Sequence, residues 1–595
     1  MNYKNLRSAY DLNKLKRLNI DSVKKFAEVI RADMIDIVSK TGGHIGVNLG
    51  TLEITLALHY VYNFPRDNLV FDTGHNCYTH KMLTGRLKKM KTMRHHGGLS
   101  GFPNPKESKY DLISWSHGGT GLSVGLGLAV SEKLTASKRA TIVIVGDASL
   151  VEGVSQEALN HVGREKDLRL LIVLNDNGIA IDPWDGGLYR YLSRLKRGAK
   201  ETYFSSLGID YVGPIDGHNL EKLVNVFSSS KKIKKPIVVH CVTRKGNKLP
   251  WRQNDPNQNH WLFPYNKEDG SIIGEGKEYW HKPSEPFLNM VAANSIYEIV
   301  KKDKDAIVIS PATNGISGIT KIFEDFPQQT IDVAMAEQHA VAFSVGLSLR
   351  GKKKPILCFQ SAFLPRAFDQ LIQELSLNKT PVLLVITRSG VAGLDHEVHH
   401  AIFDISYLTP LPNLKILYPA SVKELKNTIN KSYLNLKEPT VILYAYGLLS
   451  DLDISKKEIK RSKQLEKNAR IAILTTGNTN KYGYGLQEYI NQKLSIGSKV
   501  INITQLSPIK SNELKRLCDK YPFLLTLEEN VLRGGLGSII AEFIIDNAFE
   551  NKLIRIGFPN CFVEKGLRSY LYPKYNMDYE SILKRIKKSW GMYFN

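Results

Sequence analysis

Two short stretches of the chain carry hard oxygen ligands at a telling distance. Gly146-Asp147-Ala148 and Asn175-Asp176-Asn177-Gly178-Ile179 each end an apolar run, TIVIV (141–145) and LLIVL (170–174). If the two runs are neighbouring parallel strands, both oxygens face the C-terminal edge of the sheet, where α/β folds bind ligands. The Asp147 carboxylate, the Asn177 amide and the Ile179 carbonyl suit Mg²⁺ or Ca²⁺, with phosphate oxygens completing the shell. An Asp at a strand end also commonly caps a helix. It is therefore the pairing, not the dipeptide, that carries the reading.

Other residue types in unusual settings accompany this pair. Gly-rich loops at 39–63 and 71–86 hold His44, His75 and His80, and HGGTGLSVGLGLAV (117–130) is a Gly-rich loop opening a helix. Such a loop lets backbone N–H groups approach a phosphate. A lone loop histidine is ordinarily structural; several beside a metal motif weigh evenly between structure and site. In DVAMAEQHAVAF (332–343) Glu337 sits in an apolar run. It is expected to be buried, and a buried carboxylate needs a partner or a raised pKa. Phe363 and Arg366, in FQSAFLPRAFDQL, read by themselves as a core aromatic and a surface cation.

The elements that must position these residues follow from the apolar runs. Besides the two above, PIVVHCV, AIVI, PILCF, PVLLVIT, TVILYA, RIAILTT, KVINIT and FLLTLEE recur between amphipathic stretches. Continuous apolar strands alternating with helices indicate parallel sheets covered on both faces, an α/β architecture in several copies. Two stretches without strand pattern, 248–284 and 450–467, divide the chain into blocks of 1–285, 286–450 and 455–595.

Composition narrows the class. The chain has 595 residues, 42% hydrophobic and 23% charged, with a mean hydropathy of −0.23, which excludes a disordered, fibrous or disulfide-scaffold protein. Its five cysteines are scattered and odd in number, against a zinc site or a disulfide framework and in favour of a reduced, cytoplasmic setting. The apolar runs are too short to span a bilayer, and the N-terminus lacks a signal-peptide core. The net charge of +23 is spread over every block, as for solvated lysines rather than a nucleic-acid stripe.

The Gly-Asp-Ala…Asn pair is similar to the Gly-Asp-Gly…Asn motif of thiamine-diphosphate enzymes, with Ala148 in place of the second glycine. The histidine loops and the AEQH string resemble, almost residue for residue, 1-deoxy-D-xylulose-5-phosphate synthases, and the likeness continues to LEENVLRGGLGS (527–538). It implies a three-domain transketolase-like thiamine-diphosphate-binding fold, with diphosphate-binding, pyrimidine-binding and C-terminal domains, assembled as a homodimer. It implies thiamine diphosphate and Mg²⁺ as cofactors. Pyruvate, or a similar 2-oxo acid, would be decarboxylated and its two-carbon unit ligated to an aldehyde such as glyceraldehyde 3-phosphate, for isoprenoid biosynthesis.

The same resemblance implies the residue roles. His44, His75 and His260 line the cofactor, His117 and Lys245 lie on its diphosphate side, and Asp147, Asn177 and Ile179 hold the metal. Glu337 is the catalytic carboxylate on the aminopyrimidine; Phe363 packs on that ring, with Arg366 nearby. Arg388, Asp395 and His399 hold substrate, His399 moving or directing a proton. The family's acceptor-phosphate arginine falls at Tyr446 and a family tyrosine at Gln360. The segment after Asp182 is also shorter than in the family. Exchanging a guanidinium for a phenol removes a bidentate phosphate grip, so the expectation is a weakened or altered acceptor. Transketolase-type ketol transfer and an inactive scaffold on the same fold are the alternatives.

Overall fold

A computed structural model of the chain describes residues 6–199, 201–249, 251, 260–273, 287–393, 395–447, 452 and 454–593. The chain forms two compact units, residues 1–274 with 333–336, and residues 275–332 with 337–595.

The first unit is built on a five-stranded sheet of β1 (Asn68–Phe71), β2 (Thr141–Gly146), β3 (Leu170–Asp176), β4 (Asp210–Asp216) and β5 (Ile237–Val242), ordered β1-β2-β3-β5-β4. All its pairs are parallel. Ile142, Val143, Ile144 and Val145 are fully buried, because helices cover both faces. Each such side chain contributes about 1.5–3 kcal/mol relative to exposure. Gly146 pairs with Asn175, so β2 and β3 end level and Asp147 and Asn177 leave the sheet at one edge. β4 alternates exposed and half-buried residues as an outermost strand, and for that reason shows no apolar run.

The second unit holds two sheets. β6 (Ala306–Ser310), β7 (Thr330–Asp332), β8 (Lys354–Gln360), β9 (Leu383–Ser389), β10 (Lys415–Leu417) and β11 (Thr440–Ala445) belong to a seven-stranded sheet ordered β14-β10-β11-β9-β8-β6-β7. Its seventh member, β14 (Gln505–Ser507), comes from the third sequence block and pairs antiparallel with β10, against the parallel expectation. β12 (Ile471–Thr475), β13 (Ser498–Asn502), β15 (Phe523–Val531) and β16 (Lys552–Phe558) form a parallel four-stranded sheet ordered β13-β12-β15-β16.

The two stretches read as linkers are more structured than expected where they are described. Residues 450–467 include the helix Lys456–Leu465, started by a Ser455–Glu458 capping box. Within 248–284, Leu262 forms an antiparallel bridge with Gly43, and Tyr265 with Ile272. Among the described residues no helix is long and apolar enough to cross a membrane.

Candidate active site

The sheet edge of the first unit separates the members of the Asn-Asp-Asn triplet. The Asn175 side-chain oxygen accepts from the Thr243 hydroxyl at 2.6 Å. Asp176 accepts from Lys196 Nζ and His240 Nε2, both at 2.9 Å, and Tyr211 bonds the far side of that imidazole at 2.8 Å. Burial opposes ionisation of Asp176, yet His240 and Lys196 hold its carboxyl below the usual range. Asn177 is left at the edge, half-buried, its Oδ1 accepting from Ile179 N at 3.1 Å in a tight turn. Asp147 reaches the same turn, its Oδ2 accepting from Gly178 N at 2.7 Å. Burial, and then the Asp176 charge, raise the Asp147 pKa. A buried carboxylate in that state gains from a cation, which fits a divalent metal bridging to an anion.

Ala148 is accommodated without strain. It opens the 3-10 turn Ala148–Val151 and is not among the residues with positive φ, so the second glycine of the motif is not needed for the turn. The HGGTG loop differs from expectation. The N–H groups of Gly119 and Gly121 donate to Asp72 at 3.1 and 2.7 Å; those two donors are engaged within the protein rather than open to a phosphate. His117, half-buried, precedes the helix Gly121–Leu134. Lys245 is buried, and its Nζ donates to the Ala180 carbonyl, just past the Asn177 turn.

The histidines sort into two groups. The rings of His44, His75 and His260 form a triangle with centroids 5.0, 5.4 and 5.2 Å apart. Leu262, bonded to Gly43 through N–H···O contacts of 2.8 and 3.0 Å, brings His260 beside His44. Asn48 fastens the other two loops: its amide donates to the His44 and His75 carbonyls at 2.8 and 2.7 Å, and its oxygen accepts from Tyr78 N at 2.8 Å. Gly43 lies at φ 134°, where a side chain is strained, and a Cβ there would also lie 2.6 Å from the Tyr78 hydroxyl. Burial, with Lys245 and the other two histidines, pushes the His260 pKa well down, so that ring is neutral; its buried Nδ1 has no hydrogen-bond partner. His80 lies outside the triangle. It bonds His59 and Asp111, each at 2.9 Å, and Asp111 also pairs with Arg86, a buried network that anchors the loop before Asp111.

In the second unit Glu337 is buried as the first residue of the helix Glu337–Ser348, where the helix dipole favours an acid. Arg366 Nη1 lies 3.9 Å from its Oε2, too far for a hydrogen bond. That oxygen is buried with no hydrogen-bond partner. Burial raises the Glu337 pKa against the opposing Arg366 charge. Arg366 is thus not the free surface cation suggested by its immediate sequence. Phe363, half-buried, is on the same 3-10 segment, Ser361–Ala367, which follows buried Gln360 at the end of β8.

Arg388 ends the regular part of β9 at φ 66°, and its guanidinium lies 4.5 Å from the centre of the Tyr446 ring. Tyr446 stacks on Phe287, centroids 5.7 Å apart. Asp395 is buried and His399 half-buried on the loop that follows. Neighbouring His400 is a structural clamp: Nδ1 accepts from Ala392 N and Gly393 N at 3.2 and 3.1 Å, and Nε2 meets the Glu564 carbonyl at 2.9 Å. Burial brings the His400 pKa down to about 4, so the neutral ring donates from Nε2.

Asp404 was not singled out by motif, yet it gathers the ends of β8 and β9. It accepts from Ser361, from Ser389 at 2.7 Å and from Tyr407 at 3.4 Å, and burial pushes its pKa up to about 7. Like Glu337, it is an acid inside an apolar run, here HHAIFDISYL, and that setting is its sequence signal. Asn48 had no comparable signal.

Comparison with known proteins gives a consistent result along the chain. A family model described as 1-deoxy-D-xylulose-5-phosphate synthase matches residues 6–202 and 196–243. The transketolase pyrimidine-binding domain matches 288–450, and the transketolase C-terminal domain 460–582. A 1-deoxy-D-xylulose-5-phosphate synthase of Caldanaerobacter subterraneus subsp. tengcongensis is 34% identical over 98% of this chain and 99% of its own. That of Buchnera aphidicola subsp. Schizaphis graminum is 36% identical over 98% of each chain. That of Clostridium kluyveri is 34% identical over 97% of each.

Proposed function

The chain belongs to the 1-deoxy-D-xylulose-5-phosphate synthase family, and on that premise we propose how its residues divide the reaction. It is a transferase that uses thiamine diphosphate to decarboxylate pyruvate and join the two-carbon unit to an aldehyde. When bound, thiamine diphosphate supplies a carbon centre that accommodates the electron pair left as CO₂ departs.

Asp147, Asn177 and the Ile179 carbonyl would hold the diphosphate through Mg²⁺, with His117 and Lys245 on that side. Glu337 would hydrogen-bond the aminopyrimidine, with Phe363 against the ring and Arg366 beside the carboxylate. The observation that carries this assignment is the buried Glu337 oxygen without a hydrogen-bond partner. Such an oxygen is costly unless a ligand donor satisfies it. His44, His75 and neutral His260 would bond substrate and cofactor heteroatoms. Arg388 and Asp395 would orient the substrate, and His399 would carry a proton to or from its oxygen, as imidazole titrates near neutrality. The division into 1–285, 286–450 and 455–595 as diphosphate-binding, pyrimidine-binding and C-terminal domains, the cytoplasmic location and the homodimer belong to the same reading.

The acceptor end is where this chain departs from the pattern that the family resemblance implies. With Tyr446 in the place of an arginine, Gln360 in that of a tyrosine, and the Arg388 guanidinium faced by an aromatic ring, phosphate recognition is weakened and a neutral aldehyde gains ground. Purified protein with thiamine diphosphate, Mg²⁺, pyruvate and a set of aldehydes, with products identified by NMR, tests both parts. CO₂ release with ligation products is expected. Efficient turnover at low glyceraldehyde 3-phosphate would overturn the altered-acceptor part. Glu337→Gln should lower kcat/KM by about 10³-fold, within the range for a positioned proton-transfer group, with an unchanged melting temperature.

A further inference from the structure

Arg388 and Tyr446 lie on different segments, and one guanidinium, that of Arg568, bonds the backbone three residues after the first and at the second. Arg388 occupies the left-handed region at φ 66°, a conformation that costs a non-glycine residue about 1–2 kcal/mol and has to be imposed by its surroundings. Three residues later, Val391 N donates to Glu529 Oε2 at 2.9 Å, and the Val391 carbonyl accepts from Arg568 Nη2 at 3.3 Å. Between them Gly390, at φ 83°, runs so close that a Cβ would lie 2.4 Å from Glu529 Oε2. The Tyr446 carbonyl accepts from Arg568 Nη1 at 3.4 Å. Glu529 itself is a buried hub, joined to Arg568 through Nε and Nη2, to Tyr572 OH at 2.6 Å and to the Asn478 amide.

We propose that the Glu529–Arg568 pair is a positioning device for the acceptor end of the site. Contributed by β15 and the helix Arg568–Lys574, it sets the placement of Arg388 against Tyr446 and through it the affinity for the aldehyde. One planar guanidinium serves the Glu529 carboxylate and the carbonyls of Val391 and Tyr446 together, a task matched to its fork of donors. The segment after β14 thus does more than close the fold. The proposal rests on the reading of Arg388 and Tyr446 as acceptor residues.

Arg568→Lys tests it, because the ammonium keeps a charge opposite Glu529 but cannot reach all three acceptors at once. The double variant Glu529→Gln/Arg568→Gln, which strands no charge in the interior, is measured in parallel in case the single change impairs folding. In the full-length enzyme loaded with thiamine diphosphate and Mg²⁺, KM for D-glyceraldehyde and for D-glyceraldehyde 3-phosphate should rise about tenfold, with kcat within about twofold, the split expected for lost ground-state positioning. A second readout needs no turnover: labelling of Arg388 by phenylglyoxal, followed by peptide mass spectrometry, should quicken severalfold as the guanidinium leaves the Tyr446 ring. A folded variant with unchanged acceptor KM and unchanged labelling, or with only a lowered melting temperature, would overturn the proposal. Wild-type protein that makes no product with either aldehyde would count against the assigned reaction, and the labelling comparison would then decide the role of the pair.

Discussion

The histidine triangle and the acceptor end are both precise arrangements, but they are pinned by different forces. Around His44 and His75 the ties are mainly neutral, an asparagine amide, a tyrosine hydroxyl and backbone bridges, with the Arg94 guanidinium bonded to the Thr41 carbonyl beside them. Around Arg388 and Tyr446 they end on a buried carboxylate and a guanidinium joined across 39 residues of sequence. Neutral ties are largely indifferent to pH and salt, whereas a buried ion pair is strong while intact and costly when halved.

The largest effect should come from halving the charged tie. Glu529→Ala leaves Arg568 and Tyr572 without their carboxylate and should cost about 3–5 kcal/mol in denaturant unfolding. Asn48→Ala strips the histidine loops of a shared donor and should cost about 2 kcal/mol, with little dependence on pH between 5 and 8. A cost for Asn48→Ala equal to that of Glu529→Ala would break the contrast. Tyr446→Arg restores a guanidinium at the acceptor end and should lower KM for glyceraldehyde 3-phosphate about tenfold, equivalent to roughly 1.4 kcal/mol, while leaving KM for unphosphorylated D-glyceraldehyde unimproved.

The last effect concerns acid. His400 has its pKa lowered from 6.5 to about 4 in the folded chain, so below pH 6.5 the unfolded state binds the extra proton and stability falls as pH drops through that window. The slope from this residue is at most about 1.4 kcal/mol per pH unit. His400→Asn should flatten the acid side of the stability profile by that amount; an unchanged profile would show that the ring is not held neutral.

Legibility in the sequence followed burial. All ten apolar runs are strands, because a strand covered on both faces must be apolar along its length. β4 escaped because its residues alternate, β7, β10 and β14 because they are three residues long, β1 because only three of its four residues are apolar, and β16 because Lys552 and Arg555 interrupt its apolar run. That β14 joins the middle sheet could not be read from local pattern at all, since strand pairing depends on what the rest of the chain leaves uncovered.

The sequence by itself determined the spacing of Asp147 and Asn177, the apolar setting of Glu337 and the phenol at position 446. Each is a matter of residue type and short-range period. Tertiary structure alone decided that Ala148 lies in ordinary backbone space and that Asp72 engages the N–H groups of Gly119 and Gly121. It also decided that His80 lies outside the triangle and that Glu529 and Arg568 bond the backbone at Val391 and Arg568 that at Tyr446. Those outcomes depend on partners distant in the chain, 138 residues in the case of Val391 and Glu529. A hydrogen bond is set by distance and angle in space, which no residue pattern encodes until the sheets have brought both ends together.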